Sequence, residues 1–318
     1  MMEFYLFDVQ HGQSAGVRLP NGRWCLFDAG HGRDGSPTEW IHRQEAIKRR
    51  VSRLLEARTS GSSILERRLA NFYTQPQFQF LKMTVSHLHH DHLSDWETAL
   101  GASPEFLKTV DFDGEYLQDL RACSHEDSYP SVLRFCQHYN GGFTPVTFVP
   151  DYGGVTITEH ALPVRVAGAL GGAANSRVNN ASVITRIDYS GNSILLCGDM
   201  ETEAWEFVLN RARDQQIWQS LVSNIDILVA PHHGHSSAYS TSLMAWARPT
   251  VVLVSVKSYD EHVDDRYSSN AVGGITLDGS FSRRITTRKH GTIKVEIAPS
   301  ASLFQKGQRT WTLNHALT

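Results

Sequence analysis

The 318-residue chain is poor in cysteine, with four in all, and no two of them form a CxxC pair. Cys25, Cys123, Cys136 and Cys197 are too scattered for a disulfide framework, which suits a reducing compartment. No stretch approaches the roughly 18 apolar residues that cross a bilayer, and the opening MMEFYLFDV has no basic segment ahead of an apolar one. A cytoplasmic protein with no membrane contact is therefore expected. Charge of one sign is lacking too: 30 Lys and Arg against 33 Asp and Glu leave a net charge of -3, so no global field draws the chain to nucleic acid or anionic lipid. Repeats and low-complexity linkers are absent. With 41% hydrophobic residues, what remains is one globular domain over 1–318.

What the chain does have is clustered histidine. SHLHHDHL, residues 86–93, holds four histidines and an aspartate directly after the strand-like LKMTV at 81–85. Leaving a strand, His87 and His89 point the same way, while a turn redirects Asp91 and His92 to a neighbouring position, so two adjacent ion sites are expected. Imidazole with carboxylate suits borderline divalent ions, zinc or manganese. Two such ions roughly 3.5–4 Å apart acidify a water and neutralise charge on a phosphoryl or carbonyl oxygen. His90, at the free position of the motif, reads as exposed or as support for a ligand. In LLCGDM, Gly198 allows a sharp turn at a strand end and leaves Asp199 projecting, where its carboxylate can bridge two ions. In DILVAPHHGH a strand stops at Pro231 and presents His232, His233 and His235 as ligands or acid–base groups. Which of the three touches metal is open.

The remaining pattern predicts strands at 3–9, 14–19 and 24–28, then two helices between 38 and 72 broken at Ser60-Gly61. Region 100–145 reads as helical and irregular. Strands are expected at 146–149, 155–158 and 164–167, followed by a loop over GALGGAANSRVNNA. Strands at 182–188 and 193–197, a helix near 201–221, a strand at 225–230, a helix near 241–247 and a strand at 250–256 follow. Segments 284–287 and 291–297 read as a final strand pair. Early and late strands with helices between them suggest two facing sheets covered by helices.

The spacing HxHxDH resembles the signature of the metallo-β-lactamase superfamily. FDVQHGQSAGVRLPNG, CLFDAG, SHLHHDH, NNASVITRI, LLCGDMETEA, DILVAPHHGHSS and RPTVVLVSV occur in the order of the branch that includes the soluble hydrolase domain of the ComEC DNA-uptake channel. Teichoic-acid phosphorylcholine esterases carry similar blocks. The resemblance implies an α+β fold, an αββα sandwich of the metallo-β-lactamase type, here with helical insertions at about 38–72 and 100–145. It implies two divalent ions, zinc or manganese, and hydrolysis of phosphodiester or related ester bonds. His87 and His89 then hold one ion, Asp91 and His92 the other, and Asp199 bridges. His232 and His233 supply a ligand and a phosphate-facing group. Where many relatives carry a further histidine ligand, this chain has Asn179 and Asn180, whose harder amide oxygens favour manganese and a less tightly held second ion. His160 and His262 are the histidines considered as substitutes.

For the substrate, Arg43, Lys48, Arg49, Arg50, Arg53 and Arg58 stand against only Glu45 and Glu56, a basic helix face fit to follow a phosphate backbone. The expected activity is a metal-dependent phosphodiesterase, a nuclease acting on DNA, with Asp91 orienting the attacking water and His232 or His233 serving the leaving side. Arg49, Arg50 and Arg53, with Asn179, Asn180 and His235, are the candidate substrate contacts. The alternatives are a small-substrate hydrolase, acting on a cyclic nucleotide or phosphorylcholine ester, and a metal-stabilised binding subunit without turnover. A nuclease needs control, so a regulatory protein partner is expected at the 38–72 helices.

Overall fold

The computed structural model describes residues 1–9, 12–32, 35–59, 79–142, 150–256, 262–277, 280–299 and 311–315. The chain opens with an antiparallel meander, β1 (Met2–Leu6), β2 (Ser14–Arg18) and β3 (Trp24–Ala29), its first turn next to Gly12 and its second at Pro20-Asn21-Gly22. Helix α1 (Pro37–Thr59) lies on the outer face of these strands, where Trp40 packs on Tyr5 and Phe7 and Ile41 is fully buried. The predicted break at Ser60-Gly61 and the second helix fall outside the described residues. β4 (Phe80–Thr84) then runs parallel to β3 and ends just before the histidine cluster.

After α2 (Trp96–Gly101) comes β5 (Phe106–Lys108), which extends the sheet beside β4, so the stretch at 100–145 contributes a strand as well as helices. α3 (Gly114–Cys123) is capped by Asp113, whose carboxylate accepts from the Glu115 and Tyr116 amides. α4 (Tyr129–Gly142) packs its Phe135 against Trp96. The aromatics of this stretch accordingly serve packing: Tyr116 and Phe135 are buried, and Phe112 meets Tyr139. Residues 143–149 fall outside the described part.

The second sheet begins with β6 (Thr156–His160). Two expectations fail next. Segment 164–167 is not a strand, and the Gly/Ala/Asn-rich stretch is not a loop: they form α5 (Val164–Ala169) and α6 (Ala174–Asn180). Two valines in VRV look strand-like, but Pro163 sets an extended entry and the alanines then favour helical turns. β7 (Ile184–Tyr189) and β8 (Asn192–Leu196) form the predicted hairpin. α7 (Thr202–Asn210) and α8 (Gln215–Val222) replace the single expected helix. β9 (Ile227–Val229), α9 (Thr241–Ala247), β10 (Val251–Val254), α10 (Arg266–Ser269) and the small hairpin β11 (Ile275–Leu277)–β12 (Ser280–Ser282) follow.

The last segments also differ from expectation. β13 (Arg284–Thr286) adds parallel to β10, whereas α11 (Thr287–His290) leads to β14 (Ile293–Ile297), which crosses to the first sheet and pairs with β1 and β15 (Trp311–His315). The two read as partners because they are adjacent in sequence, yet each completes a different sheet. The orders are β15-β14-β1-β2-β3-β4-β5 and β13-β10-β9-β8-β7-β6.

Alternation along the strands fixes the layers. Phe4, Leu6, Val17 and Phe27 of the first sheet share one core with Ile187, Ile194, Ile227, Val229, Val251 and Leu253 of the second. Their neighbours Tyr5, Leu26, Leu195, Leu228 and Val252 join the cores beneath the helices. The result is a four-layer αββα sandwich, the layering that the resemblance implied. Glu159 of β6 ties the sheets together, with Lys82 Nζ at 2.5 Å and Thr84 Oγ1 at 2.7 Å. Among the described residues no helix is long and apolar enough to cross a membrane.

Candidate metal centre

Four loops converge at one edge of the sandwich. The turn after β4 carries His87, His89, Asp91 and His92; β8 leads into Gly198-Asp199; β9 leads into His232-His233; and β3 carries Asp28 near its end. Asp199 sits at the centre. Its Oδ1 lies 3.2 Å from His92 Nε2, and its Oδ2 lies 3.6 Å from His233 Nε2 and 3.9 Å from both His87 Nε2 and His232 Nε2. Asp91 Oδ2 stands 3.4 Å from His233 Nε2 and 3.7 Å from His92 Nε2. Asp91, His92, Asp199 and His233 thus offer four ligand atoms, all within 4.8 Å of one another.

The backbone is shaped for this convergence. Gly198 has φ +49°, and a Cβ there would lie 2.8 Å from the Ser182 side chain and 3.0 Å from Ser86 Cβ. Only glycine lets Asp199 turn in at that point. His232 and His233 both adopt left-handed φ, 48° and 53°, without being glycine, at roughly 1–2 kcal/mol each. Strain held at two consecutive histidines is characteristic of a functional turn.

A second set of residues orients the imidazoles. Asp28 accepts from the Ser86 amide at 2.6 Å and the Ser86 hydroxyl at 3.0 Å, and its Oδ2 lies 2.9 Å from His92 Nδ1. Holding Nδ1 in this way directs Nε2 at Asp199. The Ser255 carbonyl does the same for His233 through Nδ1 at 3.2 Å. Sequence reading missed both. Asp28 stands in the CLFDAG block, and its left-handed φ of 56° at a strand end was the hidden signal.

His87 and His89 make a different neighbourhood. His87 Nε2 faces His89 Nδ1 at 3.0 Å, His87 Nδ1 lies 3.0 Å from the Ser86 hydroxyl, and His89 Nε2 lies 3.4 Å from Cys123 Sγ. Asn179 and Asn180 are fully buried. Asn179 Nδ2 donates to Glu201 Oε1 at 2.9 Å, and Asn180 Oδ1 accepts from the Glu201 amide at 3.0 Å. His235 is exposed, and its Nδ1 accepts from the Ser237 amide. His160 is engaged with Asp214 and Trp218, and His262 is exposed; neither joins the four-atom group. Arg49, Arg50 and Arg53 fall on α1, but their side chains lie outside the described part.

Electrostatics separate the two halves. Burial pulls His92 down, but Asp199, Asp28 and Asp91 outweigh it and hold the imidazole well above its usual pKa; Asp199 and Asp91 likewise raise His233 against burial. Burial would raise Asp91 and Asp199, yet the surrounding imidazoles hold both carboxyls far below the usual range. Burial instead wins at His87 and His89, which are lowered and stay neutral near pH 7.

A divalent cation fits these residues. His92 Nε2 and Asp199 Oδ1 are buried and make no hydrogen bond although they face each other. Such atoms cost about 1–3 kcal/mol each when left unsatisfied. Mixed imidazole nitrogen and carboxylate oxygen is the donor set of borderline divalent ions.

No protein-family model matches the chain. It is 33% identical over 87 residues to the uncharacterized protein YcaI of Escherichia coli (strain K12), covering 27% of this chain and 11% of that protein. It is 32% identical over 77 residues to Recombination protein 2 of Haemophilus influenzae, covering 24% of this chain and 8% of that protein. The matched part thus spans about a tenth of the length of either relative. Among solved structures, a Thermotoga maritima protein assigned to the Zn-dependent hydrolases of the metallo-β-lactamase superfamily superposes with a TM-score of 0.37 at 10% identity, over 89% of this chain and 96% of that one. A CmlA β-hydroxylase variant gives a TM-score of 0.40 at 12% identity, over 80% of this chain and 46% of that one. Both likenesses are distant, and the αββα layering rests on the sheets themselves.

Proposed function

We propose that this chain is a metal-dependent phosphodiester hydrolase whose substrate is nucleic acid, DNA in particular. The observation that carries the reading is Asp199, buried and centred among four imidazoles with an oxygen that makes no hydrogen bond. Asp91, His92, Asp199 and His233 would hold one ion, and His87, His89 and Asp199 would be the residues available to a second. When bound, divalent ions supply positive charge that polarises a phosphoryl oxygen and acidifies water.

The chain's own groups do the rest. Asp91, half-exposed and 3.4 Å from His233 Nε2, orients the attacking water. Asp28 and the Ser255 carbonyl keep His92 and His233 from rotating. His232 is partly open to solvent, with Nδ1 3.2 Å from the Ser237 hydroxyl, and meets the leaving oxygen. Recombination protein 2, by its name, points to nucleic acid as the substrate class.

A manganese-supplemented assay on single-stranded DNA, duplex DNA, RNA and bis-p-nitrophenyl phosphate tests the reading. Cleavage of DNA and of the reporter is expected. Reporter cleavage alone returns the small-substrate hydrolase, and cleavage of none returns a metal-stabilised binding subunit.

A further inference from the structure

Residues 12–14, buried between β1 and β2, touch the metal centre without supplying a ligand to it. Gly12 lies against the turn that carries Asp91. Its φ is +124°, and a Cβ there would overlap the Asp91 carbonyl oxygen and stand 3.2 Å from Asp91 Cβ. Gly30, just after β3, closes on the same carbonyl. A Cβ on Gly30 would lie 2.6 Å from the Asp91 oxygen and 2.7 Å from the Gln13 oxygen, and the Gly30 amide donates to that Gln13 oxygen at 3.0 Å. The Asp91 carbonyl is therefore seated where two glycines leave room for it.

The Gly12 carbonyl reaches the opposite side of the site. It accepts the Ser255 hydroxyl at 2.7 Å across 243 residues, and the Ser255 carbonyl is the group that holds His233 Nδ1. The next two residues reach the third ligand: Gln13 Nε2 donates to Asp28 Oδ2 at 3.3 Å and the Ser14 hydroxyl to the Asp28 carbonyl at 3.2 Å, while Asp28 backs His92. One tripeptide thus connects Asp91, His92 and His233, the three residues grouped with Asp199. His89 leans instead on His87 and Cys123.

We propose that Gly12 is a positioning residue for the metal centre: its missing side chain seats Asp91 and its carbonyl, through Ser255, seats His233, so one backbone unit sets the separation of two ligands. The inference rests on the metal reading of the site, not on the identity of the substrate. A side chain at Gly12 displaces the Asp91 turn while His233 stays tied to the Gly12 carbonyl, and the ligand set loses its register. Manganese binding to chelator-stripped protein, followed by calorimetry, tests this without turnover. Gly12→Ala is expected to weaken the step assigned to Asp91, His92, Asp199 and His233 by about 10- to 100-fold, as loss of a ligand's support does, and to leave the His89-dependent step within about twofold of the parent. Gly35→Ala is the control, because Gly35 has nearly the same φ, +121°, yet a Cβ there meets nothing within 4 Å. Backbone strain is common to the two variants and the contact with Asp91 is not. Both should unfold at a lower temperature than the parent, and only Gly12→Ala should bind the ion less well. Ser255→Ala keeps the carbonyl behind His233 but removes the hydroxyl, and should weaken the same step without any change at a positive φ. Parental binding in Gly12→Ala, or equal losses in Gly12→Ala and Gly35→Ala, would overturn the inference. If Gly12→Ala does not fold, parental binding in Ser255→Ala overturns it. A parent that binds no ion would sink the metal reading, and this inference with it.

Discussion

The two halves of the metal centre each draw two side chains from one eight-residue stretch, yet they are built differently. In one, Asp91 and Asp199 face His92 and His233, so every imidazole has a carboxylate opposite it. In the other, His87 and His89 turn nitrogens toward each other, flanked by a serine hydroxyl and a thiol, and the asparagines that end α6 in place of a further histidine are tied to Glu201. The first half concentrates negative charge; the second offers neutral nitrogen. A cation therefore gains more in the first, and the two ions should differ in how readily they leave.

The comparison can be broken most directly at the residue that both halves share. Asp199→Ala should lower reporter hydrolysis by at least about a thousandfold, with unchanged circular dichroism, because it removes a carboxylate that faces both halves. Activity within tenfold of the parent would dissolve the site. Asp28→Asn keeps the volume but removes the anion behind His92; affinity for the tighter ion should drop about 10- to 100-fold while His89-dependent binding is spared. Equal loss at both ions would mean that Asp28 shapes the whole turn instead.

Gly198→Ala acts on position alone. The new Cβ meets Ser182 and Ser86, and thermal unfolding should register a cost of about 1–3 kcal/mol. Hydrolysis should fall further than stability suggests, since Asp199 must shift.

Glu159→Gln is the control, with no expected change at either ion. Burial raises the Glu159 carboxyl, but the charges of Lys82 and Lys108 and bonds from Lys82 and Thr84 outweigh it, so its folded pKa is lowered. Its stabilisation is present above the unfolded carboxyl pKa and is lost as pH falls through the lower folded value. The variant should therefore lose stability at neutral pH, by about 3 kcal/mol for a broken buried pair, and show a flatter acid limb than the parent. A parent-like acid limb would remove Glu159 as the link between the sheets.

The sequence reveals the ligands because they are local. HxHxDH, Gly-Asp and PHHG each sit at a strand end that alternation of apolar residues marks clearly. What orients them is not local: Asp28 reaches His92 across 64 residues and Ser255 reaches His233 across 22, through strand pairings that no window of sequence contains. The same limit explains β13 and β14, adjacent in the chain but assigned to opposite sheets. On α1, Arg43 is paired with Glu39, and Lys48 with Glu3 and Glu45, while the side chains of Arg49, Arg50 and Arg53 lie outside the described part.

The central claim is that the carboxylate-rich half holds the ion on which hydrolysis depends. Manganese titration of chelator-stripped protein, followed by calorimetry and by bis-p-nitrophenyl phosphate cleavage, tests it in the parent, His233→Ala and His89→Ala. The account predicts a tight and a weak binding step in the parent, loss of the tight step and of activity in His233→Ala, and loss of only the weak step in His89→Ala. A tight step that survives His233→Ala, or full activity in the stripped protein, would contradict it.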